Sequence, residues 1–203
     1  MTTEQSPPWD QQIAAILVRP LVNTIVTPNQ ITTVSLVLGL AAAALFAWGE
    51  GTAAYWAAGL VIAARFIDHM DGELARQAGK GSKFGALFDS ATGTASYGTL
   101  FLGMGVGEWR GDAADWVLWL AAAVALLILI NMLLQFKVEI RSGVAPDPYP
   151  RIGPFEVEDG IYLIGPIVWL TGTWWFFLMG TIGTLIFVTF NIYALSCELQ
   201  EGE

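Results

Sequence analysis

Apolar runs of about the length that crosses a bilayer recur along this chain, and they limit its possible folds more than any other feature. No ionisable residue falls between Asp115 and Lys137, for example. In lipid a single segment can satisfy its own backbone polar groups only as a helix, so such runs read as transmembrane helices. Composition agrees: of 203 residues, 55% are hydrophobic and 13% charged, with a mean hydropathy of +0.56. An ordinary soluble domain carries roughly twice that share of charge. The expected fold is an all-α integral membrane protein, a six-transmembrane-helix bundle with an N-terminal interfacial amphipathic helix. The six spans are read at about 31–48, 53–77, 84–107, 114–137, 160–174 and 175–197. Residues 1–28 form the interfacial segment, 29–197 the bundle and 198–203 a C-terminal tail. No separate soluble domain and no internal repeat is visible.

Within the first segment, Trp9, Ile13, Ile16, Leu17 and Leu21 fall on one helical stripe, with Asp10, Gln11 and Gln12 off it. That pattern suits a helix lying in the membrane interface until Pro20 interrupts it, although an ordinary lead-in helix fits as well. Thr27-Pro28-Asn29 then marks a stop and restart, with Asn29 as the candidate N-cap. The fifth span is short and contains Pro166. The second keeps a helical pattern through a polar end, Asp68 to Arg76, which should project beyond the hydrocarbon. Small residues such as Ala41 to Ala44, Gly98, Gly103, Gly105 and Gly107 are read as sites of close helix approach.

Basic residues set the topology. Arg76, Lys80 and Lys83 lie between spans two and three, Lys137, Arg141 and Arg151 between spans four and five, and Arg19 before span one; Arg110 lies on the opposite side. The positive-inside rule then places both termini at the cytoplasmic face of the plasma membrane. Trp48, Trp56, Trp109, Trp116, Trp174 and Trp175 all fall at the predicted outer ends. A net charge of −9 argues against nucleic acid as a partner. A lone cysteine, Cys197, excludes intrachain disulfides and cysteine metal clusters. The opening residues, MTTEQSPPWDQ, have no basic n-region, so no cleavable signal peptide is expected there.

The chemistry concentrates between Asp68 and Asp89. Carboxylates in or beside a membrane span are costly and usually functional. Asp68 and Asp71, three apart, share a helix face that Gly72, Ala75 and Arg76 continue, and Asp89 can approach from the next span. Three converging carboxylates repel unless a cation lies among them. Oxygen donors with no His or Cys cluster point to a hard ion, Mg2+ or Mn2+. A transporter using the same carboxylates would want them near the bilayer midplane in a broken helix, whereas these lie close to a basic loop.

Asp68, Asp71, Gly72, Ala75, Arg76, Gly85 and Asp89 together spell D-x2-D-G-x2-A-R-x8-G-x3-D. In this the chain resembles the CDP-alcohol phosphatidyltransferase family, with a weaker likeness from Thr27-Pro28-Asn29 through all six spans. The resemblance implies an enzyme of phospholipid synthesis that joins a CDP-linked lipid to an acceptor alcohol and releases CMP, commonly as a homodimer. It implies that Asp68, Asp71 and Asp89 hold one or two divalent ions and take part in catalysis. Gly72, Ala75 and Gly85 would leave room for the cytidine nucleotide, and Arg76 would order the site. The family pattern ends in a fourth aspartate, which serves a second metal and acts as base for the acceptor hydroxyl; here that position is Gly93. His69 and Glu73, an i,i+4 pair, are candidates for the missing role, packing and a solvated ion pair being their plainer readings.

Lys137 and Arg141, with Arg151, are candidates for gathering around a phosphate on the acceptor; the same residues also serve as topology-setting charges. Glu156, Glu158 and Asp159 read as carboxylates capping the helix of span five. The alternative to an enzyme is a relative that binds CDP-lipid or metal without turnover, which Gly93 motivates.

Overall fold

A computed structural model describes residues 7–49, 51–142, 151–152 and 155–201. Among these are seven α-helices: α1 (Trp9–Leu17), α2 (Pro28–Trp48), α3 (Ala53–Ala78), α4 (Lys83–Arg110), α5 (Trp116–Ser142), α6 (Ile164–Thr171) and α7 (Thr173–Glu201). A 3-10 turn, Arg19–Leu21, follows α1, and a 3-10 helix, Val157–Leu163, leads into α6. Two short strands, β1 (Arg151–Ile152) and β2 (Phe155–Glu156), pair antiparallel.

The N-cap of α2 lies two residues before the expected Asn29. Thr27 is the N-cap, its N–H donating to Gln30 Oε1 at 3.0 Å, and Pro28 stands at the first helical position, where its missing N–H costs nothing. Pro166 does not break the fifth span. It lies in the first turn of α6, just after the 3-10 segment, where no intrahelical N–H is required. The turn into α7 comes at Gly172, with φ of +90°, rather than at 174/175. Helix α7 runs to Glu201, into the stretch expected as a tail.

Among the described residues, three helices can cross a membrane by length and composition: Pro28–Trp48, Trp116–Arg141 and Thr173–Ala194. Helices α3 and α4 are as long but carry the polar residues of the site. Large apolar side chains stay exposed along α5 and α7, among them Leu126, Leu129, Leu133, Ile182, Ile186 and Phe190. The packed core lies between helices α2 to α7, around Phe46, Val61, Phe101, Met104, Val124 and Phe177.

The closest approach joins α2 and α4. A Cβ at Gly103 would overlap the Ala43 carbonyl and one at Gly107 the Phe46 carbonyl, so only glycine lets these two backbones meet. The small residues there serve packing. That contact fixes α2 and α4 in the same direction, with α3 antiparallel between their ends. Apart from Trp9, which bonds Asp159, the tryptophans gather at one end of the bundle. Trp116 and Trp174 meet edge to face at 6.0 Å, and the Arg110 guanidinium lies 5.9 Å from the Trp48 ring. Asp68, Asp71 and Asp89 lie at the other end, near the C-terminus of α3 and the N-terminus of α4.

Helix α1 packs on α3 through the side away from most of its apolar stripe. Ala14 and Val18 are buried, and so is Asp10, while Ile13, Ile16 and Leu17 remain exposed. Asp10 belongs to the inner face because polar partners meet it there: His69 Nε2 lies 2.8 Å from its Oδ2, and the Tyr162 hydroxyl donates to the same oxygen at 3.0 Å.

Candidate active site at the carboxylate end of the bundle

Helical spacing on α3 sets Asp68 and Asp71 side by side, and the start of α4 brings Asp89 against them. One carboxylate oxygen from each lies within 4.8 Å of the other two. Asp71 is buried, and Asp68 and Asp89 are half-buried. Among the described residues this is the group of acidic side chains close enough to share an ion. Its donors are all oxygen, its geometry is compact, and mutual repulsion leaves it in need of positive charge; the residues fit a hard divalent cation.

Two hydroxyls from α2 orient these carboxylates. Thr32 donates to Asp71 Oδ2, and Ser35 donates to Asp68 Oδ1 at 3.3 Å and to the Ala64 carbonyl at 3.0 Å. Arg65, one turn before Asp68, reaches its Oδ2 at 3.1 Å with Nη1 and the Glu158 Oε2 at 2.6 Å with Nη2. Tyr97 of α4 donates to the other Glu158 oxygen at 3.0 Å. None of these five residues was singled out from sequence for this role. Arg65 carried a signal, because a guanidinium inside an apolar helix needs a partner.

The remaining motif residues separate into those near the centre and those turned from it. Gly72 lies beneath the Arg76 guanidinium: a Cβ there would stand 3.6 Å from Nη1. Arg76, largely exposed, turns its guanidinium to Glu73 at 2.7 Å. Gly85 donates its N–H to the Ser82 hydroxyl at 2.9 Å and faces Asn29, where a Cβ would come within 3.2 Å of Oδ1. Ala75 is half-buried. Lys137 and Arg141 are exposed on the last turns of α5, and the Arg151 side chain lies outside the described residues.

His69 and Glu73, the candidates for the missing role, each engage another partner. His69 turns to Asp10 of α1, and Glu73 turns to Arg76 and Gln77. Asp159 caps its helix, accepting the Glu156 N–H at 3.1 Å, and also accepts from Trp9 Nε1 at 3.1 Å; Glu158 instead points inward to Arg65. Gly93 lines a cavity of about 40 Å³ with Ser35, Arg65, Asp68, Ser96 and Tyr97, and a Cβ at Gly93 would meet nothing within 4 Å. A larger cavity of about 350 Å³, mostly apolar, opens beside it between α4, α5 and α7, with Tyr97 and Glu158 on its lining.

Comparison with known proteins agrees with this geometry. The chain is 28% identical over 163 residues to the archaetidylinositol phosphate synthase of Pyrococcus horikoshii, covering 72% of this chain and 79% of that one. Its fold matches the Mycobacterium tuberculosis phosphatidylinositol phosphate synthase solved with CDP-DAG bound, with a TM-score of 0.68 at 20% identity over 94% of both chains. The same synthase in complex with manganese and citrate matches with a TM-score of 0.59 at 22% identity, over 95% of this chain and 88% of that one. The family model described as CDP-alcohol phosphatidyltransferase matches residues 25–190. With most of its length matched, including all three clustered aspartates, this chain belongs to the CDP-alcohol phosphatidyltransferase family.

Proposed function

We propose that this protein is an integral-membrane phosphotransferase of phospholipid synthesis. It moves the phospho-alcohol part of a CDP-linked lipid to an acceptor hydroxyl and releases CMP. The observation that carries this reading is the convergence of Asp68, Asp71 and Asp89 within 4.8 Å at one end of an apolar bundle. Asp68, Asp71 and Asp89 would hold Mg2+ or Mn2+, one or two ions. Bound there, the metal would neutralise pyrophosphate charge and favour in-line displacement. Thr32, Ser35 and Arg65 hold the carboxylates in place, which lowers the cost of assembling the centre for each turnover.

The small side chains at Gly72, Ala75 and Gly85 leave space beside the aspartates for the cytidine nucleotide, and Arg76, exposed at the rim, is available to its phosphates. The apolar cavity of about 350 Å³ gives part of a lipid chain a place next to the site. Lys137 and Arg141, at the same end of the bundle, are the candidate contacts for a phosphate on the acceptor. A phosphate-bearing acceptor fits the relatives, which are synthases of archaetidylinositol phosphate and phosphatidylinositol phosphate.

Six helical passes cross the membrane in this reading: α2, α3, α4, α5, the 3-10 helix with α6, and α7. Val157–Thr171 together extend about 26 Å, close to the roughly 30 Å of a hydrocarbon core. Helix α1 lies in the interface on its exposed Ile13, Ile16 and Leu17. The basic residues place the site and both termini at the cytoplasmic face, and two copies pair through their spans. The test of the site is CDP binding in the presence of Mn2+ by wild type and Asp71→Asn. Loss of metal-dependent binding in the variant is expected, and undiminished binding contradicts the assignment.

A further inference from the structure

Arg65 is the cation buried nearest the carboxylate centre. Its side chain is 11% exposed, as is that of Glu158, so the pair is shielded from water. We propose that Arg65 and Glu158 are positioning residues of the centre: Glu158 holds one arm of the guanidinium so that the other arm fixes Asp68. This rests on the reading of Asp68, Asp71 and Asp89 as a cation-binding group.

The geometry forms one connected chain. The Tyr97 hydroxyl donates to Glu158 Oε1 at 3.0 Å, Arg65 Nη2 meets Glu158 Oε2 at 2.6 Å, and Arg65 Nη1 meets Asp68 Oδ2 at 3.1 Å. Ser35 completes it at Asp68 Oδ1. Four separate elements contribute: α4, the Val157–Leu163 3-10 helix, α3 and α2. A guanidinium fork suits this task because its arms diverge at fixed angles, whereas an ammonium is a single point. The pairing also solves an electrostatic problem. A lone buried cation beside Asp68 would compete with a divalent ion for that carboxylate and repel it. Glu158 offsets the charge and pulls the guanidinium away from full engagement with Asp68, which leaves the aspartate able to serve both.

Removing the Glu158 charge therefore acts in one direction. The unbalanced Arg65 binds Asp68 more completely and repels a cation, so metal affinity falls. Residues that orient metal ligands typically contribute about 10–100-fold in affinity. The experiment is Mn2+ binding to the purified full chain in detergent micelles, followed by electron paramagnetic resonance of the free ion, with no nucleotide present. Glu158→Gln is expected to weaken Mn2+ binding by at least about tenfold, and Arg65→Lys to weaken it as well. The double variant Arg65→Gln/Glu158→Gln should lose less than the product of the single losses, because the two residues act as one unit.

Affinity within about twofold of wild type in a folded Glu158→Gln overturns the inference. Should that variant not fold, Tyr97→Phe removes only the hydroxyl on Glu158 and is expected to weaken Mn2+ by roughly threefold; no change there overturns it equally. Asp71→Asn separates the two levels of the argument. Unchanged Mn2+ binding in Asp71→Asn defeats the cation-binding reading itself. Loss in Asp71→Asn with none in Glu158→Gln defeats only the role given to Arg65 and Glu158.

Discussion

The Thr32 hydroxyl of α2 donates to the buried Asp71 carboxylate of α3, and this hydrogen bond ties the first helix of the bundle to the acidic centre. Thr32 also bonds the Pro28 carbonyl at 3.1 Å, so its side chain is fixed from both sides. Thr32→Val keeps the shape and removes the donor. A hydrogen bond to a charged group contributes about 1.5–3 kcal/mol, and burial leaves Asp71 no water to replace it. Thermal unfolding in detergent should show that loss, together with weaker CDP affinity in the presence of Mn2+. An unaltered melting temperature and affinity contradict the role.

Asp10 gives a second prediction, on stability and pH. Burial is the largest influence on its carboxyl pKa and acts to raise it, while the close contact and charge of His69 act to lower it. With the Tyr162 hydroxyl and the Gln11 N–H, they hold Asp10 below the ordinary value. A carboxylate lowered in the folded state adds stability that is complete above its unfolded pKa of about 4 and is lost as pH falls through the folded value. Asp10→Ala, which strands buried His69 and Tyr162, is expected to cost about 1–3 kcal/mol. The gap in melting temperature between wild type and Asp10→Ala should narrow as pH is lowered below about 4. A gap that widens on acidification contradicts this assignment.

The α2–α4 contact yields a packing prediction. Gly103→Val forces a branched side chain onto the Ala43 carbonyl, where no flexible neighbour is available to move. Overpacking of this kind typically costs about 1–3 kcal/mol, and a backbone clash falls at the upper end. Gly93→Ala, where a Cβ meets open space, serves as the comparison and should melt within a degree or two of wild type. Equal melting temperatures for the two variants contradict the close approach.

Gly93 carries a functional prediction as well. Its Cβ direction is open, and the cavity it lines also touches Asp68 and Arg65. Gly93→Asp is expected to retain the fold and to raise the rate of CMP release by adding a carboxylate beside the acceptor's path. General-base assistance is typically worth about 10²–10⁴-fold, so even a part of it is measurable. A fall in rate shows that the open recess is itself used by a substrate.

Much of this arrangement is visible in the chain before folding. The runs read as spans one to four and six correspond to α2, α3, α4, α5 and α7, and the spacing of Asp68, Asp71 and Asp89 leads directly to the cluster. Partners distant in sequence were not visible. Asp10 read only as lying off the apolar stripe of its helix, yet Tyr162, 152 positions away, and His69 draw it inside. Glu158 read as one of three capping carboxylates; Asp159 does cap, while Glu158 turns inward because Arg65 stands opposite. Local periodicity assigns a residue to a face but does not say which charge waits on the neighbouring helix. Arg65 was not singled out either, although a guanidinium within an apolar run requires a partner.

The most direct test is acceptor-dependent release of CMP from CDP-diacylglycerol by the purified protein with Mg2+ or Mn2+. The acceptors to supply are inositol phosphate, glycerol phosphate, serine and inositol, with Asp89→Ala as the control. The proposed transferase predicts CMP that appears only with a suitable acceptor and metal and disappears in Asp89→Ala. CMP release that persists in Asp89→Ala, or none with any acceptor while CDP still binds, contradicts it.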